Sequence, residues 1–134
     1  MSLKVLVVDD DEIIVFLHNM IMEDNGMVSD SLSFQNGKEA FDYLNSENNL
    51  NQTCLVLLDI NMPVMNGWQL LDNIQSAPYA KNIHVVMVTS SIDTEDREKA
   101  SQYPQVIAYF EKPLNNKSLK QLKELPQISP YFQF

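Results

Sequence analysis

The chain has 134 residues and a single cysteine, Cys54, and its 18 acidic and nine basic residues give a formal net charge of −9. This length predicts one domain over residues 1–134, the acidic balance argues against DNA or RNA binding, and a lone cysteine excludes an internal disulfide bond. No apolar stretch is long enough to cross a membrane and no signal peptide is evident, so we expect a cytoplasmic protein in which Cys54 is buried and inert.

The first strand and helix lie close to the N-terminus. Val5-Leu6-Val7-Val8 is an unbroken apolar run, typical of a strand buried on both faces, and it leads into Asp9-Asp10-Asp11. Asp10 or Asp11 can cap the helix that follows, and Asn25-Gly26 ends it. The residues spaced for the inward face of this helix are Ile13, Ile14, Leu17, Met20 and Ile21.

The next segment carries weaker signals. Residues 28–34 alternate between polar and apolar and predict a short strand near a sheet edge, which Asn36-Gly37 ends. The apolar residues that begin a second helical face are Ala40, Phe41 and Leu44. The polar, Asn-rich stretch from Asn45 to Thr53 predicts an exposed loop.

The strand around which the chain is organised is Leu55-Val56-Leu57-Leu58, which ends at Asp59 and is followed at once by a turn. Ligands of open α/β sheets bind at the carboxyl ends of strands, so Asp59 is a candidate functional residue, with simple capping of the loop as the alternative. Asn66-Gly67 begins a third helix, in which Trp68 is expected to be partly packed. Its inward residues are Leu70, Leu71 and Ile74.

Two further strands complete the pattern. Residues 83–88 form the fourth and end at Thr89, and residues 106–110 form the fifth and lead into Glu111-Lys112-Pro113. Between them, residues 93–102 predict a charged helix whose one clear apolar anchor is Ala100, so we expect it to be weakly held. The last helix is marked by Leu119, Leu122 and Leu125. The tail, residues 126–134, either covers this helix or docks a partner.

Five strands that alternate with five helices predict a parallel sheet covered on both faces. At this size the expected architecture is a flavodoxin-like (βα)5 three-layer sandwich with strand order 2-1-3-4-5. In that order the first and third strands end side by side, which brings Asp9 and Asp10 next to Asp59. Thr89 ends the neighbouring strand, and Lys112 ends the one after it.

Such a cleft has a definite chemistry. Three neighbouring carboxylates repel one another unless a cation compensates, and two cations are available: the Lys112 ammonium and a hard metal ion such as Mg²⁺. The Thr89 hydroxyl and Lys112 are donors for an incoming anion. Together these groups suit phosphoryl transfer, in which a carboxylate can itself be the nucleophile and form an aspartyl phosphate.

Four motifs resemble the receiver domain of two-component response regulators. They are Val7-Val8-Asp9-Asp10-Asp11, the stretch Leu58-Asp59-Ile60-Asn61-Met62-Pro63-Val64-Met65-Asn66-Gly67, Val88-Thr89-Ser90 and Tyr109-Phe110-Glu111-Lys112-Pro113. Each alone is weak, but four in this order, each at a strand end, are specific. The resemblance covers residues 4–125 and is to a stand-alone, chemotaxis-regulator-like receiver.

The resemblance implies a role for each residue of the cleft. Asp59 would accept a phosphoryl group from a sensor histidine kinase or a histidine phosphotransfer protein. Asp10 and Asp59 would ligate Mg²⁺ through their side chains, Asn61 through its backbone carbonyl, and Asp9 through water. Lys112 would pair with the phosphoryl oxygens, and the peptide bond between it and Pro113 is often cis in this family.

The resemblance also implies a switch that acts on a downstream protein target. Thr89 would move to hydrogen-bond the phosphoryl group and Tyr109 would swing inward behind it, which would change the face formed by the fourth helix, fifth strand and fifth helix. The chain would then be no enzyme beyond slow self-dephosphorylation. The plain alternatives are that Lys112 is a surface lysine and Tyr109 a core residue. His18 and His84 are expected to be structural or exposed and away from the site.

Two other classes of protein remain open. In a haloacid dehalogenase-like phosphatase Asp9 would be the nucleophile and small phosphate esters the substrates, but the chain is short and the Asp59 motif would then be unexplained. A flavin-binding protein is disfavoured because no phosphate-binding loop follows the first strand. A receiver that no longer switches and acts only as a docking module is the third alternative. No effector sequence follows the receiver, so we expect it to act through protein contacts or as a phosphate shuttle in a relay.

Overall fold

A computed structural model describes residues 3–27, 31–47 and 52–132 of the chain. Its centre is a five-stranded parallel sheet in the order β2-β1-β3-β4-β5, which confirms the predicted topology. The strands are β1 (Leu3–Val8), β2 (Ser31–Phe34), β3 (Thr53–Leu58), β4 (Ile83–Thr89) and β5 (Val106–Glu111).

Helices cover both faces of the sheet and complete three layers. They are α1 (Glu12–Asp24), α2 (Gly37–Glu47), α3 (Gly67–Gln75), α4 (Thr94–Ser101) and α5 (Asn116–Glu124). Alternate residues of each central strand point to opposite faces, so Val56 packs with α2, α3 and α4 whereas Leu57 packs with α1 and α5. In the described ranges no helix is both long and apolar enough to span a bilayer.

The inward face predicted for α1 is wrong in part. Ile13 is 71% exposed, and Leu17 and Met20 are also exposed, whereas His18 and Met22 are buried against the sheet. Apolar residues lie on nearly every side of this helix, so their spacing alone does not select the side that faces the core. The result is an exposed apolar stripe on α1, formed by Ile13, Phe16, Leu17 and Met20.

Helix α4 is held mainly at its C-terminal end. Ala100 is its one buried residue, as predicted, but Lys99 lies with its ammonium 4.5 Å from the centre of the Trp68 ring on α3. Trp68 also stacks on Tyr103 at 6.2 Å between ring centroids, and the Tyr103 hydroxyl donates a 2.7 Å hydrogen bond to Asp72 of α3. Apart from Ala100, the contacts that hold this end of α4 therefore lie near the surface.

Three local predictions differ from the structure in their boundaries. Strand β2 begins at Ser31, and the earlier part of the predicted strand, residues 28–30, lies outside the described residues. Helix α2 continues through Glu47 into the predicted loop, and residues 48–51 of that loop are not described. In the tail, Ile128 is fully buried and packs with α5, which agrees with a segment that covers this helix.

One backbone position predicts a stabilising substitution. Val64, 78% exposed in the loop between β3 and α3, has a φ of 68°, a left-handed conformation that costs β-branched residues roughly 1–2 kcal/mol. Val64→Asn is expected to raise the free energy of unfolding by about 1 kcal/mol, because asparagine tolerates this conformation. Urea denaturation at pH 7 measures the change. Val64→Ala, which keeps most of the strain, should gain less, and an unchanged Asn variant would contradict the prediction.

Candidate functional site

The carboxyl ends of β1 and β3 bring two aspartates together. Val8 and Leu58 are partners in the sheet register, and the ladder continues one step further because the Asp59 N–H donates to the Val8 carbonyl at 3.0 Å. Asp9 follows β1 directly, and its N–H donates to Phe34 of β2 at 3.0 Å. Both carboxylates are buried at this edge of the sheet. The prediction that they lie side by side is therefore confirmed.

Asp59 is held at both carboxylate oxygens. Its Oδ1 accepts a 2.8 Å hydrogen bond from the Ile60 N–H, and its Oδ2 accepts one of 3.0 Å from Lys112 Nζ. Burial raises the pKa of Asp59, and the hydrogen bond from Lys112 opposes that rise without cancelling it. The ionised carboxylate is therefore under-compensated in this structure and favours a further cation or a neutralising modification.

Lys112 bridges the two buried carboxylates. Its Nζ lies 2.6 Å from Asp9 Oδ2 as well as 3.0 Å from Asp59 Oδ2, and its side chain is largely buried. Burial by itself lowers the pKa of Lys112, but hydrogen bonds to Asp9 and Asp59 outweigh it, so the net shift is upward. The interpretation of Lys112 as an ordinary surface lysine is thus wrong, and its ammonium stays charged throughout the neutral range.

A third carboxylate completes an oxygen-rich cluster. Asp9, Asp10 and Asp59 each offer one oxygen, and the three oxygens lie within 4.8 Å of one another. Carboxylate oxygens are the hard donors that Mg²⁺ prefers, so this cluster could hold the ion. With all groups ionised, three carboxylates and one ammonium leave two negative charges, which a divalent cation balances. Asn61 lies two residues beyond Asp59 and is exposed.

Thr89 and Tyr109 are connected through a residue that the sequence did not single out as part of the switch. Thr89 is fully buried at the end of β4, and its Oγ1 accepts a 3.3 Å hydrogen bond from the Ser91 N–H. The Tyr109 hydroxyl donates to the Ser91 carbonyl at 3.1 Å. Ser91 Oγ in turn donates to Asp96 of α4 at 2.7 Å. The only sequence signal that could have pointed to Ser91 is its position two residues after Thr89.

The start of α3 is pressed against the backbone of Asp59. Asn66 caps the helix and exchanges reciprocal hydrogen bonds with Gln69, so the helix begins where Asn66-Gly67 predicts. The Gly67 N–H donates to the Ile60 carbonyl at 2.8 Å, and a Cβ on Gly67 would lie 2.5 Å from the Asp59 carbonyl oxygen. Only glycine permits this approach, which fixes the end of β3 against the helix.

His18 is buried and structural, which is one of the two outcomes expected for it, and it lies near the site without being one of the predicted site residues. It is 2% exposed on the inner side of α1, and its Nε2 accepts a 3.3 Å hydrogen bond from the Leu114 N–H, two residues beyond Lys112. Its place between Val15 and Met22, on one side of the helix, is the signal that could have placed it inward. His84 is half-buried within β4.

The burial of His18 predicts a pH dependence of stability. Burial lowers the pKa of His18 to about 4, although Asp9 opposes the shift, whereas the unfolded chain binds the proton near pH 6.5. The stabilisation is therefore complete above pH 6.5 and is lost as the pH falls towards 4, by about 3 kcal/mol in all. Urea denaturation from pH 7 to pH 4 should show this loss in the wild type and a smaller one in His18→Gln. Parallel curves would contradict it.

Comparison with known proteins identifies this arrangement. The protein-family model of the response regulator receiver domain matches residues 5–124, nearly the whole chain. The chain belongs to the response regulator receiver domain family. It is 31% identical to chemotaxis protein CheY-3 of Vibrio cholerae over 122 residues, which cover 90% of this chain and 88% of that protein. It is 29% identical to the probable methanogenesis regulatory protein FilR2 of Methanothrix harundinacea, over 96% of this chain and 82% of that protein.

Solved structures agree with the receiver assignment. A two-component response regulator from Cytophaga hutchinsonii is 32% identical and superposes with a TM-score of 0.81, covering 90% of this receiver and 92% of that chain. The resemblance stated from the four motifs is thus confirmed, and the flavodoxin-like fold with it. Family membership favours a signalling role over the phosphatase and flavin-binding alternatives, because receiver domains are signalling modules of two-component systems.

Proposed function

We propose that this receiver domain is a phosphorylation-dependent switch in which Asp59 accepts a phosphoryl group from a phosphohistidine. The observation that carries the proposal is the Asp59 carboxylate itself, which ends β3, is held by Ile60 and Lys112, and lies among two further carboxylates. An Asp59 oxygen forms the new P–O bond while the P–N bond of the donor histidine breaks, and the imidazole leaves as a neutral group once protonated. The product is an acyl phosphate, in which the negative charge of the phosphoryl group replaces that of the carboxylate.

The acidic cluster supports a role for Mg²⁺ at this site. Asp10 and Asp59 would hold the ion through their side chains, Asn61 through its backbone carbonyl, and Asp9 through a water molecule. When bound, the ion supplies charge compensation for the phosphoryl oxygens. Asp9 would also have a second role, because its Oδ2 lies 2.6 Å from Lys112 Nζ and helps to position the ammonium in the cleft.

Lys112 and Thr89 supply donors for the phosphoryl group. The Lys112 ammonium already contacts the Asp59 carboxylate. It would therefore need to move little to contact a phosphoryl group attached there. Among the described residues, Thr89 Oγ1 is bonded only as an acceptor, from the Ser91 N–H, so its hydroxyl proton could be donated to a phosphoryl oxygen. Lys112 would stabilise the charge that develops on transfer, and Thr89 would add a second donor once it moves towards the phosphoryl group.

Ser91 supports a path from Thr89 to the surface. Thr89 and Tyr109 both bind the backbone of Ser91, and its side chain binds Asp96 in the first turn of α4. The guanidinium of Arg97 lies 4.6 Å from the centre of the Tyr109 ring. Movement of Thr89 towards a phosphoryl group would therefore disturb Tyr109 and the start of α4, because both are bonded through Ser91. The face formed by α4, β5 and α5 is the proposed output surface for a downstream protein.

The exposed stripe on α1 supports a protein as the phosphodonor. The stripe starts at Ile13, three residues after Asp10, and runs along one side of the helix at helical spacing, with Phe16 63% exposed. The helix carries acidic residues at both ends and no lysine or arginine. The complementary partner is a histidine kinase or phosphotransfer protein that offers an apolar surface flanked by basic residues.

The partner is tested by comparing two phosphodonors. Phe16→Ser is expected to slow phosphoryl transfer from a phosphohistidine protein at least about tenfold while leaving the rate with a small acyl phosphate unchanged, because only the former covers α1. Lys81→Gln, exposed in the turn before β4 and remote from α1, is the control and should change neither rate by more than about twofold. Equal slowing with both donors would contradict docking on α1.

The proposal as a whole is tested by intact mass after incubation with a small acyl phosphate. The wild type should gain one phosphoryl group only with Mg²⁺ present, Asp59→Asn should gain none, and Asp9→Asn should gain it more slowly. A wild type that gains none, with or without Mg²⁺, would support the non-switching docking module. Loss of turnover in Asp9→Asn with retention in Asp59→Asn would support the phosphatase chemistry instead.

A further inference from the structure

His18 is a buried polar group that the carboxylate chemistry does not use. It lies on α1 and not at a strand end, yet its Nε2 accepts a 3.3 Å hydrogen bond from the backbone N–H of Leu114, which follows β5. Leu114 is itself buried, so its N–H has no access to bulk water. An apolar side chain could fill the same space, but it would leave this N–H unpaired inside the protein.

The hydrogen bond fixes the segment that carries Lys112. The Lys112 N–H donates to the Thr89 carbonyl at 2.9 Å, which ties the segment to β4. Pro113 has no N–H to donate, and the Leu114 N–H goes to His18. Both backbone donors of these three residues are thus used, one towards the sheet and one towards α1. His18 is the side chain that holds the second.

A lysine needs such support because its side chain is long and flexible. Lys112 Nζ must reach Asp9 at 2.6 Å and Asp59 at 3.0 Å, and both distances depend on where the backbone of residues 112–114 lies. We propose that His18 is a positioning residue, which holds the Lys112 ammonium in register with the phosphoacceptor through the Leu114 N–H. This inference rests on the proposed role of Asp59 and Lys112 in phosphoryl transfer.

The protonation state of His18 agrees with this role. Burial lowers its pKa to about 4, with Asp9 opposing and Lys112 assisting, so the imidazole is neutral at physiological pH and Nε2 is free to accept. A neutral imidazole also places no second positive charge beside Lys112. The ammonium is therefore directed to the carboxylates and is not repelled towards solvent.

Two amides that differ by one methylene test the proposal. In His18→Gln the side-chain oxygen reaches the position of Nε2, whereas in His18→Asn it stops short, and His18→Leu has no acceptor. Phosphorylation by a small acyl phosphate, with Mg²⁺ saturating and at a temperature where every variant is fully folded, is expected to slow at least about tenfold in the Asn and Leu variants. His18→Gln should stay within about threefold of the wild type, and Mg²⁺ affinity should be similar in all four proteins.

The outcomes separate this inference from the proposed function. A phosphorylated wild type with equal rates in every variant overturns the role of His18 alone, whereas a wild type that takes up no phosphate overturns both. Slowing of Gln as much as Leu would show that packing, and not the acceptor, matters. If the Asn and Leu variants do not fold, nitrogen NMR of the wild type decides: a protonated Nε2 at pH 7, or rapid exchange of the Leu114 amide, overturns the proposal.

Discussion

Lys112→Met is expected to lower the free energy of unfolding by about 3 kcal/mol at pH 7 and to slow phosphorylation by a small acyl phosphate at least about 100-fold. The substitution keeps an unbranched side chain of similar length but removes the one ammonium shared by two buried carboxylates, Asp9 and Asp59. Urea denaturation and the initial rate of phosphate uptake measure the two effects. The loss of stability should shrink as the pH falls towards 4, because burial raises the pKa of Asp59 and protonation then neutralises this unpaired carboxylate.

Lys38→Met is the matched control for this prediction. Lys38 pairs with Asp42 at 2.9 Å, a distance like that between Lys112 and Asp59, but both side chains are more than half exposed. Its removal should change the free energy of unfolding by less than about 0.5 kcal/mol and leave phosphate uptake unchanged. Similar losses in the two variants, or a Lys112→Met protein that is phosphorylated normally, would contradict the assignment of Lys112 to the site.

Gly67→Ala is expected to cost about 3 kcal/mol of stability and to slow phosphate uptake by up to about 100-fold. The added Cβ would lie 2.5 Å from the carbonyl oxygen of Asp59 and 3.0 Å from the Cα of Ile60, and both are backbone atoms at the end of β3. The strand and α3 must separate to admit it, and Asp59 moves with the strand. Urea denaturation and phosphate uptake again provide the two measurements.

Gly26→Ala is the control for Gly67→Ala, because it introduces backbone strain without displacing the site. Gly26 has a φ of 69°, so alanine there is strained by about 1 kcal/mol, but no atom lies within 4 Å of its added Cβ. Gly26→Ala should therefore lose some stability and keep the wild-type rate of phosphate uptake. Slowing in both variants, or in neither, would argue against the close approach of Gly67 as the feature that places Asp59.

The sheet and the acidic cluster were predictable because their signals are local and redundant. An apolar run such as residues 55–58, followed at once by a turn, favours a buried strand in a chain that alternates strands and helices, and parallel strands present their carboxyl ends at one edge. Asp9, Asp59 and Lys112 each follow such a run directly, so the topology alone brings them together. The start of α3 at Gly67 was equally local, since its capping residue precedes it.

The orientation of α1 was not predictable by the same route. Hydrophobic spacing selects an inward face only when the other faces are polar, and here Phe16 and Met20 lie outside while the polar His18 lies inside. The inward histidine depends on a partner distant in sequence, the Leu114 N–H, which no local pattern reveals. The role of Ser91 is similarly tertiary, because its partner Tyr109 comes from the next strand.

The most direct test of the central claim is to locate the residue that becomes phosphorylated. An aspartyl phosphate is reduced by borohydride to homoserine, whereas a phosphate on serine or threonine survives that treatment, so tandem mass spectrometry of the treated protein locates the modification. We predict homoserine at position 59, formed only when phosphodonor and Mg²⁺ are both present. Homoserine at position 9 or 10, or a phosphate that persists on Thr89 or a serine, would contradict the account.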